Sequence, residues 1–190
     1  ARHLLGRALV RRVLGAAFGR PFSGEFALGP WGKPACPPEW LGSGNAMDFS
    51  ISHSGRMVWA AFCRAAAVGI DVEQIRPLPE AFDLAAQLHP LECAAVRAQP
   101  EPDRAVAFHR CWTRKEAVLK ALGMGLNLPL QGFLVRPDPG DADWLVSLPG
   151  QTGQGTSAPA WTTRDIDAGP GYQCSVAADA PNLSFAVFFQ

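Results

Sequence analysis

The hydrophobic period of this chain changes several times along its length, and that change limits the folds open to it. Leu4, Leu5, Leu9, Val13 and Ala17 recur at helical spacing from the start, with Arg7, Arg11 and Arg12 off the stripe. Gly, Pro and Ser punctuate residues 19–46. Residues 47–52, 57–63 and 68–73 then read as three short strands of one small sheet. Pro77 and Pro79 mark a loop, and shorter helical patterns cover residues 80–98. A long helix is predicted over 103–122, with a stripe of Phe108, Trp112, Leu119 and Leu122 and a stop at Gly123. Beyond it, residues 132–136, 144–148, 160–165, 172–178 and 183–189 read as strands, with a Gly/Thr/Gln loop at 150–157. Helix, strands, long helix, strands is the order of an α+β protein built from two halves of similar plan.

Bulk charge points to no partner. Lys and Arg total 17 and Asp and Glu total 17, so a non-specific nucleic-acid role is not expected and phosphate binding must come from a local cluster. The longest apolar runs fall far short of the roughly 20 residues that span a bilayer. Cys36, Cys63, Cys93, Cys111 and Cys174 form no CxxC pair, which predicts reduced, mostly buried thiols and a cytoplasmic setting. The chain opens at Ala1 inside a helical stripe with neither a capping residue nor a Met, so the natural protein is expected to extend upstream.

Four short motifs carry chemistry. In Gly69-Ile70-Asp71-Val72-Glu73, residues two apart on a strand share a face, so both carboxylates converge as a hard-cation site would need; a merely solvated strand end is the plainer alternative. In Trp112-Thr113-Arg114-Lys115-Glu116-Ala117-Val118-Leu119-Lys120, the i, i+4, i+8 spacing stacks Trp112, Glu116 and Lys120 on one helix face. Glu116 could complete a metal site or take a proton, and Lys120 could meet a phosphate oxygen. The alternative is a surface ion pair worth about 0.3–0.5 kcal/mol. Phe49-Ser50-Ile51-Ser52-His53-Ser54-Gly55 is a strand running into a turn, with hydroxyls and an imidazole able to donate to phosphate. A Ser-His-Asp hydrolase is excluded by the opposite facing of adjacent strand residues and by the lack of a G-x-S-x-G elbow. Gly32-Lys33-Pro34 adds a cation and a rigid turn.

Taken in order, these motifs resemble the 4′-phosphopantetheinyl transferase superfamily, of the surfactin-synthetase-activating type, from Arg2 to about Leu130. The resemblance implies a pseudo-twofold α+β fold, each half a small, mainly antiparallel sheet packed on a long helix. It assigns residues 1–68 to a coenzyme A-binding half and residues 69–190 to a half with the magnesium site and catalytic helix. The implied activity is Mg²⁺-dependent (Mn²⁺ as an alternative) transfer of the phosphopantetheine arm of coenzyme A to a serine of an apo acyl or peptidyl carrier protein, releasing 3′,5′-ADP. A non-catalytic coenzyme A or nucleotide-binding module is the rival.

Carried over by position, Asp71, Glu73 and Glu116 resemble the metal ligands, and Glu116 and Lys120 the catalytic pair, with Lys120 also on the coenzyme A phosphates. Ser52 and His53 resemble the 3′-phosphate contact, Gly32, Lys33 and Pro34 the adenine-side loop, and Arg2 the arginine that opens the first family helix. Glu116 and a metal-ordered water both stand as candidate bases. Ser50 replaces an Asn usual in the family, Met124 stands where a basic residue is common, and the family's basic segment ahead of the first helix is not among these residues. The resemblance further implies a monomer, with neither nucleic acid nor membrane as partner.

Overall fold

The computed structural model describes residues 2–40, 47–64, 66–140, 142–149 and 161–188, with every side chain among them except those of Arg2, His3 and Leu126. Helix α1 (Arg2–Phe18) is followed by a two-stranded pair, β1 (Ala27–Leu28) and β2 (Pro34–Ala35), which lies in a stretch expected to be loop. Next come β3 (Asp48–Ser54), β4 (Met57–Cys63) and β5 (Val68–Gln74). Short helices α2 (Ala81–Leu84) and α3 (Pro90–Ala98) lead into the long α4 (Glu101–Leu122). Then follow β6 (Leu134–Val135), β7 (Leu145–Ser147), β8 (Thr162–Asp165) and β9 (Tyr172–Ala178). The molecule mixes helices with small antiparallel sheets.

Helix α4 begins and ends where local chemistry favours it. Pro102 sits in its first turn, where an amide donor would be orphaned anyway, and Glu101 and Asp103 oppose the positive end of the dipole. Lys120 lies in the last turn, and Gly123 closes the helix in the left-handed region at φ 67°, its N–H reaching the carbonyls of Leu119 and Lys120. The expected stripe is too narrow. Ala107, Cys111, Thr113, Arg114, Lys115, Ala117 and Val118 are buried as well, because strands pack on one side of α4 and smaller helices on another.

The three strand patterns after residue 46 do not make one sheet, which corrects the expectation. β3 and β4 form a hairpin, in register from Asp48 opposite Cys63 to Ser54 opposite Met57. β5 instead pairs with β9, from Val68 opposite Ala178 to Gln74 opposite Tyr172, and β8 pairs with the far edge of β9. The other edge of β5 lies along the face of β3 that carries Asp48, Ser50, Ser52 and Ser54. Its N–H groups at Val68, Ile70, Val72 and Gln74 donate to those side chains, at 2.7, 3.2, 3.2 and 3.0 Å. Side-chain oxygens here take the part of a partner strand's carbonyls.

Residues 183–188, expected as a strand, are not one. Leu183 donates its N–H to the Thr162 hydroxyl at 3.1 Å, and Leu183 and Phe185 pack on the β5–β9 core, so the segment is held by a side chain and apolar contact instead of a ladder. The anticipated strands at 132–136 and 144–148 shorten to Leu134–Val135 and Leu145–Ser147. The loop read at 150–157 lies outside the described residues.

Gly69 sets the depth at which α4 docks on β5. A Cβ there would stand 1.9 Å from the Ala117 carbonyl oxygen and 2.4 Å from the Ala121 nitrogen, both main-chain atoms of a long helix that cannot step aside. Gly69→Ala is therefore expected to destabilise by more than the ~1–3 kcal/mol usual for overpacking. Urea unfolding checks this, and an unchanged midpoint would contradict the close docking.

Candidate active site

The candidate residues are brought together from four separate stretches of chain. A cleft of about 660 Å³ is lined by Asp71 and Glu73 from β5, Glu116 and Lys120 from α4, and Ser52 and His53 from β3. Gly32, Lys33 and Pro34 line it too. Of the ten candidates only Arg2 is missing, since its side chain lies outside the described residues. A second hollow, about 560 Å³ beside Arg11, Arg12 and Arg20 at the end of α1, has no carboxylate in its lining.

Helix geometry divides the work within W-T-R-K-E-A-V-L-K. Arg114 and Lys115 are fully buried. Arg114 binds Asp165 and carbonyls of residues 136, 138 and 140, while Lys115 meets Glu92 at 3.0 Å and the carbonyls of Leu130 and Phe133. Glu116, next in sequence, turns instead to the cleft with Lys120 one turn on. Structure and chemistry thus alternate residue by residue along one helix.

Asp71 is the electrostatic centre. It is 4% exposed, and its Oδ1 accepts from Lys120 Nζ at 2.6 Å and from Ser52 Oγ at 2.8 Å. Its Oδ2 is buried with no hydrogen-bond partner among the described residues, an uncommon and costly state for a carboxylate oxygen. Burial pushes the Glu116 carboxyl above the usual carboxylate range; nearby Asp71 and Glu73 push the same way, and Lys120 partly offsets them. Three carboxylates thus face one ammonium, and a divalent cation would relieve that imbalance and give the orphaned oxygen a partner. The donor chemistry fits such an ion. The side-chain arrangement is not a finished cage, since among the described residues no three His, Cys, Asp or Glu side chains are arranged to hold a metal.

Other candidates are placed less simply. The Lys33 ammonium lies 2.5 Å from Asp48 and also meets the carbonyls of Val68 and Ala121, so it ties β2, β3, β5 and α4 together. Ser52 is buried against Asp71 and the Val72 N–H, whereas His53, its neighbour on the strand, is exposed. His89 caps α3, accepting from the Leu91 N–H, and His109 bonds the Ala105 carbonyl. All five cysteines are free, and burial pushes the Cys111 thiol up to about 12.

The place of Arg7 in the cleft and the bond from Ser54 to Glu73 were not anticipated. Arg7, read only as lying off the first helix's stripe, lines the cleft with its guanidinium 5.0 Å over the Phe26 ring. Ser54 donates to Glu73 Oε2 at 2.6 Å. The signal for Ser54 was present: serines at 50, 52 and 54 share the two-residue period of Asp71 and Glu73.

Comparison with known proteins shows the family. Residues 67–177 match the model of the 4′-phosphopantetheinyl transferase superfamily, a span that contains β5 and α4 and all of β9 but its last residue. The chain belongs to that superfamily. It is 34% identical over 139 residues to a 4′-phosphopantetheinyl transferase of Bacillus subtilis, covering 71% of this chain and 58% of that protein. It is 32% identical over 185 residues to the 4′-phosphopantetheinyl transferase Sfp of Bacillus subtilis (strain 168), covering 96% of this chain and 75% of the relative. With 4′-phosphopantetheinyl transferase HetI of a Nostoc species, identity is 34% over 127 residues, 53% of that protein's length.

The raised Glu116 carboxyl has a consequence for stability. A carboxyl whose folded pKa exceeds its unfolded value binds more protons when folded, so stability falls as pH rises through that window and the loss is complete above it. In chelator at pH 8, Glu116→Gln should raise Tm by a few degrees, with the gain shrinking as pH falls toward the ordinary carboxylate range. Calorimetry across pH measures this, and a lower Tm for the variant at pH 8 would contradict the crowding of charge.

Proposed function

We propose that this chain transfers the phosphopantetheine arm of coenzyme A to a serine of an apo acyl or peptidyl carrier protein, with 3′,5′-ADP as the leaving product. One observation carries the reading: Asp71, Glu73, Glu116 and Lys120 line a single cleft together with Ser52 and His53, in a chain of this superfamily. The relatives named above bear that activity in their names. A module that only bound a polyanion would have no reason to bury acidic groups beside it, which disfavours the non-catalytic alternative.

Asp71, Glu73 and Glu116 would hold a magnesium ion, which when bound supplies charge neutralisation on the pyrophosphate. The chain's own residues do the rest. Lys120, tethered to Asp71 and to the Ile70 carbonyl, presents its ammonium to the phosphates from the last turn of α4. Glu116, with its basicity raised by burial, suits removal of the proton from the attacking serine hydroxyl. His53, exposed on the cleft wall, would donate to the 3′-phosphate. The Gly32-Lys33-Pro34 turn shapes the adenine side.

The same reading includes the pseudo-twofold plan, supported by α1 packing on the β3–β4 hairpin and α4 on β5 and β9, and a monomeric state. Carrier docking is assigned to residues 74–92, where Phe82 is 42% and Leu91 60% exposed. No described helix is long and apolar enough to cross a membrane.

Incubation with coenzyme A, Mg²⁺ and a panel of apo carriers, followed by intact mass of the carriers, tests the activity. Asp71→Ala should cut the rate by roughly 10²-fold or more, and chelator should abolish it until Mg²⁺ or Mn²⁺ is restored. Full activity in chelator would refute the metal-dependent reading. His53→Ala should weaken coenzyme A more than its 3′-dephospho analogue, and equal losses would remove His53 from the 3′-phosphate.

A further inference from the structure

We infer that Ser54 is a positioning residue that fixes the Glu73 carboxylate for cation binding; this rests on the reading of Glu73 as a metal ligand. Ser54 ends β3 and sits on two contacts with β5: its Oγ accepts the Gln74 N–H at 3.0 Å and donates to Glu73 Oε2 at 2.6 Å. The directions are forced. A hydroxyl has one proton, the amide approaches a lone pair, and an ionised carboxylate only accepts, so the serine proton points at Glu73. One carboxylate oxygen is thereby held and the other, Oε1, lies outside that bond.

The serine is itself held. Its successor Gly55 turns in the left-handed region at φ 54°, and a Cβ there would stand 2.5 Å from both Gln74 Oε1 and Tyr172 Oη. The next residue, Arg56, donates its N–H to Tyr172 Oη at 3.0 Å. The turn is therefore pinned to β9 while the hydroxyl is pinned to β5. Glu73 needs this support more than Asp71 does. Asp71 is buried and gripped by both Ser52 and Lys120, whereas Glu73 is a longer, half-buried side chain near the strand end.

Ser50 separates a positioning role from mere strand attachment. It accepts the Ile70 N–H at 3.2 Å just as Ser54 accepts that of Gln74, but it donates to no carboxylate among its described bonds. Both serines belong to the same seam, and only one reaches a candidate ligand.

The test is the equilibrium binding of Mn²⁺ to the full chain saturated with coenzyme A, read by electron paramagnetic resonance of the free ion, beside Tm. Ser54→Ala should raise the Mn²⁺ Kd about tenfold, the lower end of what loss of a ligand's supporting bond does, and Ser54→Thr should restore it. Ser50→Ala should lower Tm and leave the Mn²⁺ Kd unchanged. Should Ser54→Ala not fold, Ser54→Gly also removes the hydroxyl and adds no ligand, and should weaken Mn²⁺ in the same direction. A parental Kd in the Ser54 variants, or equal weakening by Ser50→Ala, overturns the assignment. A parent chain that binds no Mn²⁺ with coenzyme A present overturns the metal reading itself, and this inference with it.

Discussion

The structure depends on how β5 is held at its two edges. One edge pairs with β9 through a backbone ladder, and the other donates to Asp48, Ser50, Ser52 and Ser54 of β3. A buried strand must place every amide donor, and here four of the seven are placed on side chains. That choice frees β3 to pair its own backbone with β4 while still gripping β5. It also brings the Ser52 and Ser54 hydroxyls within reach of Asp71 and Glu73, so the contact that joins the sheets also orders the acidic groups.

Helix α4 completes the arrangement because Gly69 lets it lie against the strand. Close approach brings Glu116 and Lys120 over Asp71, and buries Arg114 against Asp165 of β8 and Lys115 against Glu92 of α3. Lys33 adds a bond from the β2 turn to Asp48, Val68 and Ala121, closing the same junction from another direction. The site is thus made of rigid elements whose packing is fixed by polar bonds as much as by the apolar cores.

Much of this was legible in the residue order. The long helix and its glycine stop followed from period and capping, Met57–Cys63 from an apolar run between turn signals, and Tyr172–Ala178 from alternation. Asp71, Glu73, Glu116 and Lys120 stood out because their spacings of two and four suit a strand and a helix face. The hydroxyl seam did not, because hydrophobic period reports which face is buried and says nothing of which strand supplies the hydrogen bonds. The same blindness made 183–189 look like a strand, since its run of β-favouring residues suits one while the contact of Leu183 to Thr162 is a side-chain bond. Gly69 was read as part of a motif, but its reason lies in Ala117 and Ala121, far along the chain.

The pairing of β5 with β9 also has a bearing on how the chain comes to fold. Val68 meets Ala178 and Gln74 meets Tyr172, so the ladder closes between segments separated by about half of the chain. Such non-local pairing slows folding, because loop entropy is lost before the contact forms. During synthesis β3, β4, β5 and α4 all leave the ribosome before β9, and in that interval Val68–Gln74 offers an open edge of apolar alternation. A nascent chain halted before Tyr172 would leave that edge of β5 unpaired, and β9 is the strand that covers it.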